Sequence, residues 1–75
     1  MDFSFDKVAD ALYLKFSHEK VVNSDEIEEG IIVDYGESEN IIGIEILNFS
    51  KRNINLNEII YMSSEEIIPV IVQWQ

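Results

Sequence analysis

Asp6 and Asp10 bracket the short run Lys7-Val8-Ala9, a spacing at which two carboxylates could share a divalent cation or divide acid and base work. One short loop supplies few of the roughly six to eight oxygens that calcium prefers. The plainer role for Asp6 is to cap the turn by accepting backbone N–H bonds, with Asp10 opening the next strand. Asp34 and Glu45 form a second acidic pair. They are expected on one outer sheet face as diagonal neighbours, roughly 7–8 Å apart between backbones. Glycosidase carboxylates sit at similar separations, but such enzymes need a sugar cleft that so short a chain cannot build, which leaves a solvated face. His18, within Ser17-His18-Glu19-Lys20, could serve as a general base, yet no nucleophile with an orienting acid accompanies it. Lys51-Arg52 is the one adjacent basic pair; it could hold an anion or complement the end of a helical turn. With no Cys and a single His, disulfides, thiolate metal sites and a histidine-rich metal site within one chain are excluded. Phosphate loops, dinucleotide fingerprints, triads and zinc spacings are missing, so no catalytic residue, metal ligand set or cofactor is assigned.

The distribution of charge is more informative. Fifteen Asp and Glu against five Lys and Arg give a formal charge of −10, which argues against direct nucleic-acid binding, since that affinity comes from cationic side chains on phosphates. Between Lys20 and Lys51 there is no Lys or Arg, but eight acids: Asp25, Glu26, Glu28, Glu29, Asp34, Glu37, Glu39 and Glu45. Folded into adjacent strands, they would concentrate negative potential on one side and speed capture of a basic partner; plain solubility is the alternative. The C-terminal run Ile67-Ile68-Pro69-Val70-Ile71-Val72 is apolar nearly throughout and is followed by Trp74. As a strand it would need covering or pairing, either as an internal strand of the sheet, or by a homodimer seam or a partner's sheet. Glu26, Glu28, Asp34, Glu45, Ile71 and Trp74 are therefore the candidate partner-binding residues.

Ile and Val number 19, Leu and Ala together six, and Thr is absent, a bias toward pleated sheet. Period-2 alternation predicts strands over 2–5, 11–17, 21–28, 30–36 and 41–47. Placing Ile31, Val33 and Tyr35 on the face of Ile42, Ile44 and Ile46 pairs Val33 with Ile44, Asp34 with Gly43 and Gly36 with Ile41. That leaves Glu37-Ser38-Glu39-Asn40 as the loop, with Asn40 suited to its left-handed position. Asn48 could cap a turn through Arg52, and Asn55 with Glu58 resembles a capping box opening a helix through Met62. Ser63 or Ser64 is another possible start, but Pro69 is expected to stop it within about a turn, and Val70–Trp74 reads as a sixth strand on an edge. The predicted fold is a single α+β domain over residues 1–75, a mainly antiparallel sheet of five to six strands with one or two short helices in the C-terminal third. A chain this short gains from burying further surface, so a homodimer or other homo-oligomer is expected. No run approaches a membrane span and the N-terminus lacks a signal-peptide pattern, which predicts a cytoplasmic protein without membrane contact.

Three runs resemble the YuzE-like family of small prokaryotic proteins of unknown function: Phe5–Leu14; Glu28–Tyr35; and Ile42–Asn48 with Ser50-Lys51-Arg52. The likeness covers about residues 1–52 and implies a small α+β fold and no catalytic residues. Some members are encoded beside small toxin-like proteins of the ribonuclease-fold type, which implies an antitoxin role for those members. The expectation is thus a non-catalytic interaction module, an acidic partner to a small basic toxin-like protein. The alternative is a small metal-dependent or hydrolytic enzyme active as an oligomer, built on Asp6/Asp10 and Asp34/Glu45 with His18 as an optional base.

Overall fold

The computed structural model describes residues 1–74, with the side chain of Trp74 outside the described part. Five strands, β1 (Asp2–Asp6), β2 (Ala11–Lys15), β3 (Asn23–Glu28), β4 (Ile31–Tyr35) and β5 (Ile41–Leu47), form one sheet in the order β1-β2-β5-β4-β3, every neighbour antiparallel. A 3-10 turn (Phe49–Lys51), a one-turn helix α1 (Leu56–Ile59) and the helix α2 (Ser64–Trp74) follow. The predicted α+β class and five N-terminal strands stand.

Alternation decides the two faces. Across the sheet, Phe5, Leu12, Ile46 and Ile31 form one row, and Phe3, Leu14, Ile44 and Val33 the next. All but the two phenylalanines are buried, and they pack against Ile54, Ile59, Ile67 and Ile71 of the C-terminal segment. Burial of these aliphatic side chains is the main stabilising term, and among the described residues no polar or charged residue is buried with them. Among the described residues, no helix is packed over the opposite face. Its rows read Asp2, Lys15, Gly43, Asp34, Ser24 and Ser4, Tyr13, Glu45, Ile32, Glu26.

The β4–β5 register matches the expected pairing from Ile31↔Ile46 to Asp34↔Gly43, then shifts so that Tyr35 meets Ile41 in place of Gly36. Ile42 is the extra residue of this bulge, and its carbonyl accepts N–H bonds from both Phe16 and Ser17 (2.8 and 3.3 Å). The loop closes through Gly36 N–H to the Asn40 carbonyl (2.9 Å), and the left-handed residue is Glu39, not Asn40.

Beyond β5 the expectations need correction. The Asn55 side chain caps α1 by accepting from Asn57 N–H (3.0 Å), but α1 ends at Ile59, short of Met62. Val70–Trp74 is not a strand: α2 begins at a Ser63/Glu66 capping box and runs through Pro69 to Trp74. Ser63 N–H donates to Glu66 Oε1 (3.0 Å) and Glu66 N–H to Ser63 Oγ (3.4 Å). These bonds to Ser63 hold the Glu66 carboxyl below its ordinary value. Ile67 and Ile71 stand four residues apart, on one helical face, and both are fully buried against the sheet. Tertiary packing of that stripe outweighs the β preference of Val70-Ile71-Val72 and the backbone bond that Pro69 cannot donate.

Candidate functional site

The uncovered face carries one cross-sheet network. Tyr13 on β2 lays its ring over Gly43 of β5 and donates its hydroxyl to Asp34 Oδ2 on β4 (2.8 Å). Ser24 on β3 donates to the other oxygen, Asp34 Oδ1 (2.6 Å). Only a residue without Cβ fits beneath the ring, because a Cβ at Gly43 would collide with the Tyr13 hydroxyl and its ring carbon Cζ. Burial, then the hydrogen bond to Asp34 and the nearby charges of Asp34 and Glu45, push the Tyr13 phenol up to about 12. The phenol is therefore a fixed donor, and both Asp34 oxygens are engaged. Glu45 sits diagonally from Asp34, as expected, since Ile32 is the residue opposite it. The group ties β2, β5, β4 and β3 together and leaves Asp34 poorly placed to act as a base.

The acids of β3 line the sheet's outer edge. Glu26 folds one oxygen back onto Gly30 N–H (2.8 Å) across the β3–β4 turn, while Asp25, Glu28 and Glu29 are exposed. At the other end of β3 lies an open groove of about 710 Å³ between that strand and the β4–β5 loop, lined by Val22, Asp25, Tyr35, Glu37 and Glu39 with Asn23, Ser24 and Gly36. Three carboxylates around a half-buried tyrosine and a valine suit a cationic side chain with an apolar stem. Tyr35, Glu37 and Glu39 were not among the expected partner-binding residues; their signal was membership of the lysine-free stretch beside a turn.

The other candidates serve the fold. Asp6 Oδ1 accepts from Val8 N–H (3.0 Å) and Ala9 N–H (3.1 Å), the turn-capping role expected of it. Asp10, with a positive φ of 54°, accepts from the Ser50 hydroxyl (2.7 Å) and Ser50 N–H (3.0 Å), fastening the β1–β2 turn to the 3-10 turn. The two carboxylates are thus committed to different partners, and among the described residues no three His, Asp or Glu side chains are placed to hold a metal ion. His18 is exposed, with Nε2 3.8 Å from Asp2 Oδ2. Arg52 donates Nε to the Leu47 carbonyl (2.7 Å) and Nη2 to the Glu29 carbonyl (2.9 Å), lying against Gly30. Lys51 and Arg52 line a hollow of about 400 Å³ with Glu29 and Asn48, in which the guanidinium braces main chain. Ile71, expected on a C-terminal strand and at a partner surface, lies on α2 and is 0% exposed, because its helix turns it into the core. The expectation for the Trp74 side chain falls outside the described residues. Among the described residues no helix is long and apolar enough to cross a membrane.

No curated protein and no solved structure matches the chain. The model of a protein family described as being of unknown function, DUF2283, matches residues 2–50, from β1 into the 3-10 turn. The matched span holds every residue of the Tyr13–Asp34–Ser24 network, the Asp10–Ser50 clasp and the β3 edge. The chain belongs to the DUF2283 family.

Proposed function

We propose that this protein is a non-catalytic interaction module that captures a basic protein partner along its β3 edge, acting as an antitoxin-like neutraliser of a small basic toxin-like protein. The observation that carries the assignment is the groove at Tyr35, ringed by Asp25, Glu37 and Glu39 and continuous with an exposed strand edge bearing Glu28. Steering by such a patch raises association rates and weakens with salt. The likeness of its three runs to the YuzE-like family supports the antitoxin reading. The enzymatic alternative draws less support, because Asp6, Asp10 and Asp34 spend their carboxylates on bonds within the fold.

Co-expression with the product of the adjoining gene, followed by affinity capture at low and high salt, tests the proposal. A partner retained at low salt, released at high salt, and lost from the variant Asp25→Lys/Glu37→Lys is the expected result. A neighbour that passes through unretained at roughly 10 μM in low salt sinks it.

A further inference from the structure

We infer that β1 pairs with β1 of a second copy, antiparallel across a two-fold axis at Ser4, joining two five-stranded sheets edge to edge. Among the described residues the sheet ends in two edge strands, β1 and β3, and they are unlike. β3 is guarded: Asp25, Glu26 and Glu28 fall within its six residues, and its register breaks between Glu26 and Glu28. Edge charges and bulges are the devices that block strand pairing. β1 has an unbroken register over all five residues, with Phe3 and Phe5 left 50% and 47% exposed.

A two-fold register about Ser4 sets Ser4 opposite Ser4, and Phe3 opposite Phe5 of the second copy, on the core side, where Phe5 already meets Phe49 edge to face at 5.9 Å. The same register brings Asp2 opposite Asp6. Asp6 is turned onto its own loop by the Val8 and Ala9 N–H groups, and Asp2, whose register neighbour on β2 is Lys15, stands 3.8 Å from His18, so the two carboxylates face different surroundings. Pairing through β1 also sends the two acidic β3 edges to the far ends of the joint sheet, where repulsion between copies of charge −10 is smallest. Four half-exposed phenyl rings would cover about 400 Å², well under the 1,200–2,000 Å² of stable interfaces, so the dimer is weak and forms at high micromolar concentration.

The chain has no cysteine, which makes a single introduced thiol a clean reporter. Sedimentation over roughly 20 μM to 2 mM should show the average mass rising toward a dimer, and Phe3→Lys should hold it at the monomer with its circular dichroism unchanged. Ser4→Cys should cross-link to a disulfide dimer on the order of tenfold faster than Asp25→Cys on the opposite edge. A monomer at the highest concentration, or cross-linking of Asp25→Cys as fast as Ser4→Cys, overturns the pairing. Because β1 and the acidic edge lie on opposite sides of the sheet, failure of partner capture leaves these outcomes unaltered.

Discussion

Replacing Gly43 by Ala tests the brace on the open face, and the sign of its effect depends on Tyr13. In an ordinary strand interior the exchange stabilises by about 0.5–1 kcal/mol, because Gly loses more backbone freedom on folding. Here the new methyl would occupy the space of the Tyr13 hydroxyl and Cζ, so the ring must swing out. That breaks the 2.8 Å bond to Asp34. A hydrogen bond to a charged group contributes about 1.5–3 kcal/mol, so G43A should destabilise by a net ~1–2 kcal/mol. In the Tyr13→Ala background nothing fills the site, and the same exchange should stabilise by about 0.5–1 kcal/mol. Urea unfolding of the four proteins gives the coupling energy as a double-mutant cycle, expected near 1.5–3 kcal/mol. The same sign in both backgrounds would refute the placement of the ring over Gly43.

Four further outcomes follow from the same geometry. Asp10→Ala should cost about 2 kcal/mol, and adding Ser50→Ala to it should cost little more, because the two residues share one clasp; thermal melts of Asp10→Ala, Ser50→Ala and the double variant check this. Arg52→Lys should destabilise by about 1–2 kcal/mol and speed amide exchange at Gly30 and Leu47, since one ammonium cannot serve the carbonyls of both Leu47 and Glu29. Tyr13 ionises near 10 unfolded and about 12 folded, so its contribution is complete below pH 10 and is lost as pH rises toward 12. The full displacement is worth about 2.7 kcal/mol, and solvent beside the ring screens this to about 1 kcal/mol; Tyr13→Phe should flatten that alkaline loss in unfolding curves. Pro69→Ala should stabilise by ~1–3 kcal/mol, as it restores a helical N–H and raises propensity within α2, a gain measurable by circular dichroism melts.

How far the sequence exposed this fold varies with distance along the chain. Strands β1 to β5 follow from alternation, and the β4–β5 register follows from the need to keep Ile31, Val33, Ile44 and Ile46 on one face. The bulge at Ile42 was hidden because either of the adjacent Ile41 and Ile42 satisfies an apolar pattern. Helix α2 was misread for a physical reason: Val70-Ile71-Val72 prefers a strand in isolation, and what makes it helical is Ile67 and Ile71 reaching the sheet together. The Ser63/Glu66 capping box was the local sign that ran against Pro69. The roles of Asp10 and Arg52 could not be read locally, because their partners lie 40 and 23 residues away. With the sheet assembled, distant parts of the first 52 residues meet: Tyr13 bonds Asp34, Asp10 bonds Ser50, and Arg52 bonds the Glu29 carbonyl. These bonds spend Tyr13, Asp34, Asp10 and Arg52 on holding the sheet together, while Asp25, Glu28, Glu37 and Glu39 stay exposed beside it.

An amide chemical-shift titration of the labelled protein with the purified product of the adjoining gene tests the docking claim most directly. The expected footprint covers Val22 to Glu29 and Tyr35 to Glu39, contracts as salt rises, and spares β1. A footprint centred on β1 or α2, or spectra unchanged at millimolar partner, would contradict the account.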